Sequence, residues 1–283
     1  MKKTLVLVML VVAVIAIAAF GFMACNKSTY TIGVQKGTTG EYYVKGDSDW
    51  GYSGFSNVAY SAFDNGGMAV QALKNGSVNA VIIDEGPAKA LAESIEGIKV
   101  INVVLTTEKY GIGVDKNQDT LKNQINEIFA TDEFKTFKAT VFANYENENY
   151  QPTPVVAATT ADSSKAAQQL VVATNAEFPP FEYKEGTGFV GIDMEIAAFI
   201  ANKLNLELVI IDMDFDSVVT SVGVNNIDIA LSGLTINEKR KESVNFTDSY
   251  YEEAAQVLIV LESDTTFDGL TTVEQIEAKL KSL

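Results

Sequence analysis

Histidine is absent from the 283-residue sequence, and cysteine occurs once, at Cys25. Without histidine the chain cannot build a Ser-His-Asp triad or a metal site with imidazole ligands. A single cysteine cannot form a disulfide within the chain. These shortages remove the commonest catalytic and metal-binding side chains, and we predict no catalytic residues, no metal and no cofactor.

Basic residues are also scarce. The sequence has 21 Lys and Arg against 37 Asp and Glu, which gives a formal net charge of −16. Such an acidic surface argues against nucleic acid or an anionic membrane surface as a partner. Hydrophobic residues make up 47% and charged residues 20% of the chain, a composition typical of a globular protein with a sizeable core.

The N-terminus has the pattern of an export signal. Lys2 and Lys3 precede an apolar run over residues 5–23, which is long enough to cross a bilayer core of about 30 Å if it stays uncleaved. Residues 22–25 (FMAC) resemble a bacterial lipobox, in which Cys25 becomes the lipidated N-terminus. Residues 1–25 are therefore a signal peptide with a lipobox or an uncleaved anchor. Both predict an extracytoplasmic protein tethered to the cell membrane.

An apolar strand ends in a turn of small and hydroxyl residues at positions 228–240 (DIALSGLTINEKR). Gly233 lets a ligand approach the backbone, and Thr235 adds a hydroxyl beside it. Asn237 is the expected N-cap of a helix that has Arg240 in its first turn. The helix dipole favours anions at this end, so a guanidinium is unfavourable there unless it faces a bound anion. Arg240 therefore indicates an anion-binding site. The alternative is a surface turn with a solvated arginine.

A second strand and loop lie near the beginning of the chain. Residues 30–34 form the strand, and the Gly- and Thr-rich loop at 35–40 leads into a helix, which is a backbone anion site or an ordinary turn. Another buried strand, over residues 78–83, ends in Asp84, which is a site residue or a helix cap. Residues 70–84 and residues 219–233 have the same pattern, since each segment is predicted as a helix, a tight turn and an apolar strand.

This internal repeat predicts two α/β lobes of similar build. Because ligands of open α/β sheets lie outside the carboxyl ends of the strands, the two lobes are expected to face each other across a ligand cleft. Longer motifs point to a family. Residues 171–183 (VVATNAEFPPFEY), 191–195 (GIDME), 213–216 (MDFD) and 240–251 (RKESVNFTDSYY) resemble the first lobe of the type II periplasmic substrate-binding proteins of polar amino-acid ABC transporters. The loop at 35–40 resembles the matching loop of that family's second lobe.

The resemblance implies roles for individual residues. Arg240 and Thr39 would hold the ligand α-carboxylate, with backbone groups near Gly233 and Thr235, and Asp84 would hold the α-ammonium. The following residues would shape the pocket for the ligand side chain: Asn175, Phe178, Phe215, Ser232 and Gln35. Without the resemblance, the two phenylalanines are ordinary core residues.

The order of the segments is inverted relative to the family. Lobe 1 is predicted at residues 108–145 plus 169–262, and lobe 2 at residues 26–107 plus 263–283. A linker with little periodicity at 146–168 would join the usual C-terminus to the usual N-terminus, as in a circular permutation. The alternative is half of a tandem pair that associates in trans.

The resemblance therefore predicts the solute-binding component of an amino-acid ABC importer, with a transporter permease as its partner and a free L-amino acid as its ligand. Asn175 and Ser232 favour a polar ligand side chain, while Glu177 and the acidic surface favour a cationic one. Two alternatives are a dehydratase-like enzyme on the same fold, in which Glu177 or Asp84 acts as an acid, and a ligand-sensing lobe of a receptor.

Overall fold

The computed structural model describes residues 29–283. The predicted signal peptide and Cys25 lie outside this range. Within the described residues, no helix combines the length and the apolar character that a membrane crossing requires.

The secondary structure alternates between short strands and helices. The strands are β1 (Thr31–Gln35), β2 (Ala59–Phe63), β3 (Ala80–Asp84), β4 (Ile98–Ile101), β5 (Glu108–Tyr110), β6 (Gly113–Val114), β7 (Gln169–Thr174), β8 (Glu177–Phe178), β9 (Glu182–Glu185), β10 (Gly188–Val190), β11 (Glu207–Asp212), β12 (Ile229–Ala230), β13 (Asn245–Phe246), β14 (Tyr251–Ala254) and β15 (Gln256–Leu261). The helices are α1 (Thr39–Lys45), α2 (Gly66–Lys74), α3 (Glu85–Ser94), α4 (Asp119–Ala130), α5 (Asp132–Tyr145), α6 (Ile192–Leu204), α7 (Phe215–Ser221), α8 (Glu238–Lys241) and α9 (Val273–Leu280). Two 3₁₀ turns cover Ser48–Trp50 and Ser163–Gln168.

Two five-stranded sheets form the two lobes that the sequence predicts. The sheet of lobe 2 has the order β2-β1-β3-β15-β4, with β1 parallel to both neighbours and β15 antiparallel to both of its own. The sheet of lobe 1 has the order β11-β7-β12-β6-β13, with β7 parallel to β11 and β12. The α/β class and the two-lobe architecture are thus confirmed.

Two chain crossings connect the lobes side by side. Strands β5 and β14 pair antiparallel, and they lead into β6 of lobe 1 and β15 of lobe 2. The sequence prediction assigned residues up to 262 to lobe 1, but Gln256–Leu261 is a central strand of the lobe 2 sheet. A continuous apolar strand is buried equally well in either sheet, so its sequence does not indicate which sheet it joins.

Local sequence accounts for several helix starts. The Asn237 side chain accepts the backbone N–H of Arg240 at 2.8 Å, as predicted for the N-cap of α8. Thr272 and Gln275 form a reciprocal capping box at the start of α9. These caps satisfy backbone donors that the first helical turn leaves free.

The C-terminal helix packs on lobe 2. Ile276 and Leu280 of α9 lie in one apolar cluster with Ile32 and Val34 of β1. The predicted linker runs along lobe 1 instead, where the N–H of Val155 donates to the carbonyl of Phe189 at 2.9 Å and Ala158 bonds to β11. Each sheet therefore contains strands that precede the linker in the sequence and strands that follow it.

Candidate functional site

Arg240 lies between the lobes in the first turn of α8. Its side chain is only 6% exposed. The Nη1 group donates to the carbonyl of Thr235 at 2.9 Å, and the Nη2 group donates across the cleft to the carbonyl of Gly37 at 3.1 Å. The guanidinium is thus held by backbone carbonyls from both lobes.

No carboxylate pairs directly with this guanidinium among the described residues. Within residues 29–283, no Asp or Glu oxygen lies within the 4.0 Å of an ion pair with Arg240. Burial, the largest influence, lowers the pKa of Arg240 to about 10. The rings of Trp50 and Phe215 flank the guanidinium carbon, with ring centroids at 5.0 and 5.4 Å. A desolvated cation between two aromatic rings is suited to bind an anion.

Thr39 and Thr235 meet at a residue that the sequence reading missed. Their hydroxyls donate to Oε2 of Glu108, at 2.7 and 2.6 Å. The other carboxylate oxygen, Oε1, accepts from Thr106 at 2.6 Å and from the Gln256 amide at 3.2 Å. Glu108 lies on the crossing strand β5 and thereby connects a threonine of lobe 2 with one of lobe 1. One feature of the sequence could have indicated Glu108 as a site residue. It lies two residues before Tyr110 on a short strand, so both side chains are on the same face of that strand.

Asp84 is buried where β3 ends. It is 4% exposed, and the hydroxyl of Tyr110 donates to its Oδ1. Burial, followed by the negative charge of Glu108, raises the pKa of Asp84 to about 7. An incoming cation would stabilise the ionised form, so this carboxyl is suited to accept an ammonium group.

The remaining predicted residues surround the same cleft. The Gln35 amide of lobe 2 donates to Oδ1 of Asn175 in lobe 1 at 3.1 Å, and the N–H of Asn175 donates to the hydroxyl of Ser232 at 3.0 Å. Gly233 adopts a φ of +50°, and a Cβ there would lie 2.8 Å from the Phe178 ring. Glycine is therefore required both by the backbone conformation and by the close approach of this ring.

The structure thus brings all the predicted ligand-binding residues to the interface of the two lobes, and all are buried. They are Arg240, Asp84, Thr39, Thr235, Gly233, Ser232, Asn175, Phe178, Phe215 and Gln35. Glu177 differs, since it is exposed and accepts a hydrogen bond from Asn65 at 2.6 Å.

Residues 170–282 match the family described as bacterial extracellular solute-binding proteins, family 3. This match confirms the resemblance for the segment that contains most of lobe 1. The family is one of binding proteins, and the α/β lobe with a buried Arg240 is consistent with that class.

Individual relatives match over a similar part of the chain. The arginine-binding extracellular protein ArtP of Bacillus subtilis (strain 168) is 37% identical over 117 residues, which are 41% of this chain and 44% of that protein. The histidine-binding periplasmic protein of Escherichia coli (strain K12) is 29% identical over 128 residues, 44% of this chain and 48% of that protein. The chain therefore spans less than half the length of the curated relatives it matches.

A solved structure matches a similar share of the chain. The arginine-bound form of domain 1 from TmArgBP is 35% identical, covers 44% of this chain and 100% of that chain, and superposes with a TM-score of 0.30.

Proposed function

We propose that this protein is the extracytoplasmic solute-binding component of an amino-acid ABC importer and that it holds a free cationic L-amino acid, with arginine as the first candidate. The observation that carries the proposal is that Arg240, a buried cation without an ion pair among the described residues, shares the cleft with the buried carboxyl of Asp84. The charge of Arg240 lowers the pKa of Asp84, so the two groups lie within electrostatic reach. A zwitterion supplies an anion for one and a cation for the other.

A cationic side chain on the ligand is favoured by an unused acceptor. Gln35 is 1% exposed, and its Oε1 has no hydrogen-bond partner within the described part of the chain. A buried acceptor without a donor costs about 1–3 kcal/mol. A guanidinium or ammonium group on the ligand would supply the donor, and the faces of Phe178 and Phe215 would line its apolar stem. The names of the relatives, an arginine-binding and a histidine-binding protein, point to the same ligand class.

The wider setting is part of this proposal. A lipid on Cys25 or an uncleaved N-terminal segment would tether the protein outside the cytoplasm, and a transporter permease would receive the ligand. The order of the segments supports a circular permutation, since residues 170–282, which match the family and contain the motifs that resemble its first lobe, follow the segment that resembles its second.

A thermal-shift screen of the proteinogenic amino acids, followed by calorimetry, tests the ligand. Arginine at about 100 times its dissociation constant should raise the free energy of unfolding by about 2.7 kcal/mol. Two analogues serve as controls. Citrulline keeps the shape of arginine without the side-chain charge, and agmatine lacks the α-carboxylate that Arg240 would bind. Equal affinity for all three compounds would contradict the proposed contacts.

Enzymatic turnover is the competing function, because acids such as Asp84 lie in the cleft. Mass spectrometry of each amino acid after incubation with the purified protein separates the two functions. A binding protein leaves the ligand unchanged, whereas steady consumption of any amino acid would show an enzyme.

A further inference from the structure

Two buried carboxyl groups lie behind the Ser232–Gly233 turn of the candidate site. Glu182 is on β9 and Asp193 is in the first turn of α6, and both are 0% exposed. The two carboxyls are neighbours at one turn, and the negative charge of Asp193, after burial, raises the pKa of Glu182. Neither carboxyl is among the residues expected to contact the ligand.

The pair holds the backbone and side chain of the turn. The hydroxyl of Ser232 donates to Oε1 of Glu182 at 2.7 Å, and the N–H of Gly233 donates to Oδ2 of Asp193 at 2.7 Å. Tyr250 donates its hydroxyl to the same Oδ2 at 2.9 Å. The conformation of the Ser232–Gly233 turn therefore depends on the positions of the two carboxyl groups.

The pair has no cation to balance it. Over residues 29–283, neither carboxyl forms an ion pair with a Lys or Arg, and the titratable groups that face them are Tyr250 and, across the cleft, Asp84. Two adjacent buried carboxyls cannot both ionise at moderate cost. Oε2 of Glu182 and Oδ1 of Asp193 are the oxygens left without a donor. One proton, carried by one carboxyl and donated to the other, satisfies both.

We propose that Glu182 and Asp193 share a single proton and act as a positioning pair that holds Ser232 and Gly233 in the ligand-binding arrangement. Burial, the largest influence, raises the pKa of both groups, and that of Asp193 to about 7. Loss of the proton at higher pH leaves two carboxylates that repel each other behind the turn. The link to ligand affinity rests on the proposed function, whereas the shared proton does not.

The test compares arginine affinity from pH 5.5 to pH 9 in the wild-type protein and in Glu182→Gln. The glutamine amide can donate permanently to Asp193 while its oxygen accepts from Ser232, so it replaces the shared proton with a group that does not titrate. We expect the wild-type affinity to fall relative to that of the variant as the pH rises, by up to about tenfold per pH unit. Titration of Asp84 and of arginine itself is common to both proteins and cancels in the ratio.

Glu185→Gln is the matched control, since Glu185 is an exposed residue on the same strand. Its affinity should follow that of the wild type at every pH. A constant ratio between wild type and Glu182→Gln over the whole range would overturn the proposal.

Thermal unfolding without ligand tests the proton independently. The pair retains a proton that the unfolded chain releases, so its contribution to stability is present at acid pH and is lost as the pH rises through the folded pKa. Glu182→Gln should flatten this decline. If arginine does not bind the wild-type protein, the proposed function is wrong. The unfolding profiles of the wild type and Glu182→Gln would still show whether the two carboxyls share a proton.

Asp193→Asn provides a second variant, because its amide can donate to Glu182 while its oxygen still accepts from Gly233. If both amide variants fail to fold even at pH 5.5, a neutral donor cannot replace the proton, and the proposal is wrong. Folding of either variant with a flattened unfolding profile supports it.

Discussion

Thr39 donates its hydroxyl to Oε2 of Glu108 at 2.7 Å, although the two residues are 69 positions apart. Thr235 of the opposite lobe donates to the same oxygen at 2.6 Å. The crossing strand β5 thereby orients both threonines that border Arg240. The hydroxyls of both threonines are therefore already engaged by the Glu108 carboxylate.

We expect Glu108→Gln to destabilise the protein. The amide has one acceptor oxygen where the carboxylate has two, and its N–H₂ group would face the donating amide of Gln256. Each buried donor that loses its acceptor costs about 1–3 kcal/mol. Chemical denaturation should show a loss in this range, with Glu127→Gln on the outer surface of α4 as the control. Stability equal to that of the wild type would mean that the glutamate is not needed to orient the threonines.

Arg240→Ala should weaken arginine binding by about thirty-fold or more, because the ligand carboxylate would remain desolvated without its cation at a cost of about 2–5 kcal/mol. Calorimetry measures the change. Lys241→Ala is the neighbouring control, since Lys241 is exposed and pairs with Glu238 at 2.7 Å. Similar losses in the two variants would point to a general charge effect and against a specific contact.

Asp84 should release a proton when a cationic ammonium group binds. Its pKa is raised to about 7 in the free protein, so a large part of the carboxyl is protonated at pH 6, and a bound cation favours the ionised form. Affinity should therefore fall as the pH drops below 7. Calorimetry in buffers of different ionisation enthalpy measures the released proton.

In Asp84→Asn we expect this proton release to disappear and the affinity to fall by about thirty-fold or more. The difference in proton release between the two proteins isolates Asp84 from the other groups that titrate. An asparagine variant with the same release and the same affinity would place the ammonium site elsewhere.

Trp50 should report closure of the cleft through its fluorescence. It is the only tryptophan of the sequence, and its ring centroid lies 5.0 Å from the guanidinium carbon of Arg240 in the opposite lobe. The Tyr42 ring stacks on it with a centroid distance of 3.9 Å. We expect a saturable change in emission on titration with arginine, with a midpoint equal to the dissociation constant from calorimetry.

Trp50→Phe is expected to abolish that signal and to weaken binding roughly fivefold, because a cation–π contact contributes about 1 kcal/mol. Binding without any change in tryptophan emission would mean that the lobes do not move relative to each other around Trp50.

Cleavage of the linker should leave the protein assembled. A protease site inserted between the exposed residues Glu148 and Asn149 separates the chain into two fragments, yet β15 of the second fragment lies between β3 and β4 of the first. Pairing within the sheets then keeps the fragments together. Native size-exclusion chromatography should show one species of monomer mass, and a denaturing gel should show two bands. A dimer would support the alternative in which halves pair in trans, whereas separation of the fragments would contradict the prediction that strand pairing holds them together.

Local features of the protein could be predicted from its sequence because they depend on neighbouring residues. The Asn237 cap and the strand before Ser232 follow from residue types within about a dozen positions, whereas those types left Arg240 as either a buried or a solvated residue. The internal repeat of residues 70–84 at 219–233 predicted the two lobes, and the family resemblance in both halves of the chain added the set of residues that line the cleft. Their roles toward a ligand remain predictions.

The remaining features were decided only by the tertiary structure, since they depend on residues that are distant in the chain. Which sheet β15 joins is determined by pairing with β3 and β4, more than 150 residues earlier in the sequence. Glu108 became part of the site only when threonines from both lobes met at its carboxylate. The contact between Glu182 and Asp193 likewise requires β9 to pack against the start of α6, and their shared burial, which no residue type reveals, is what makes a retained proton necessary.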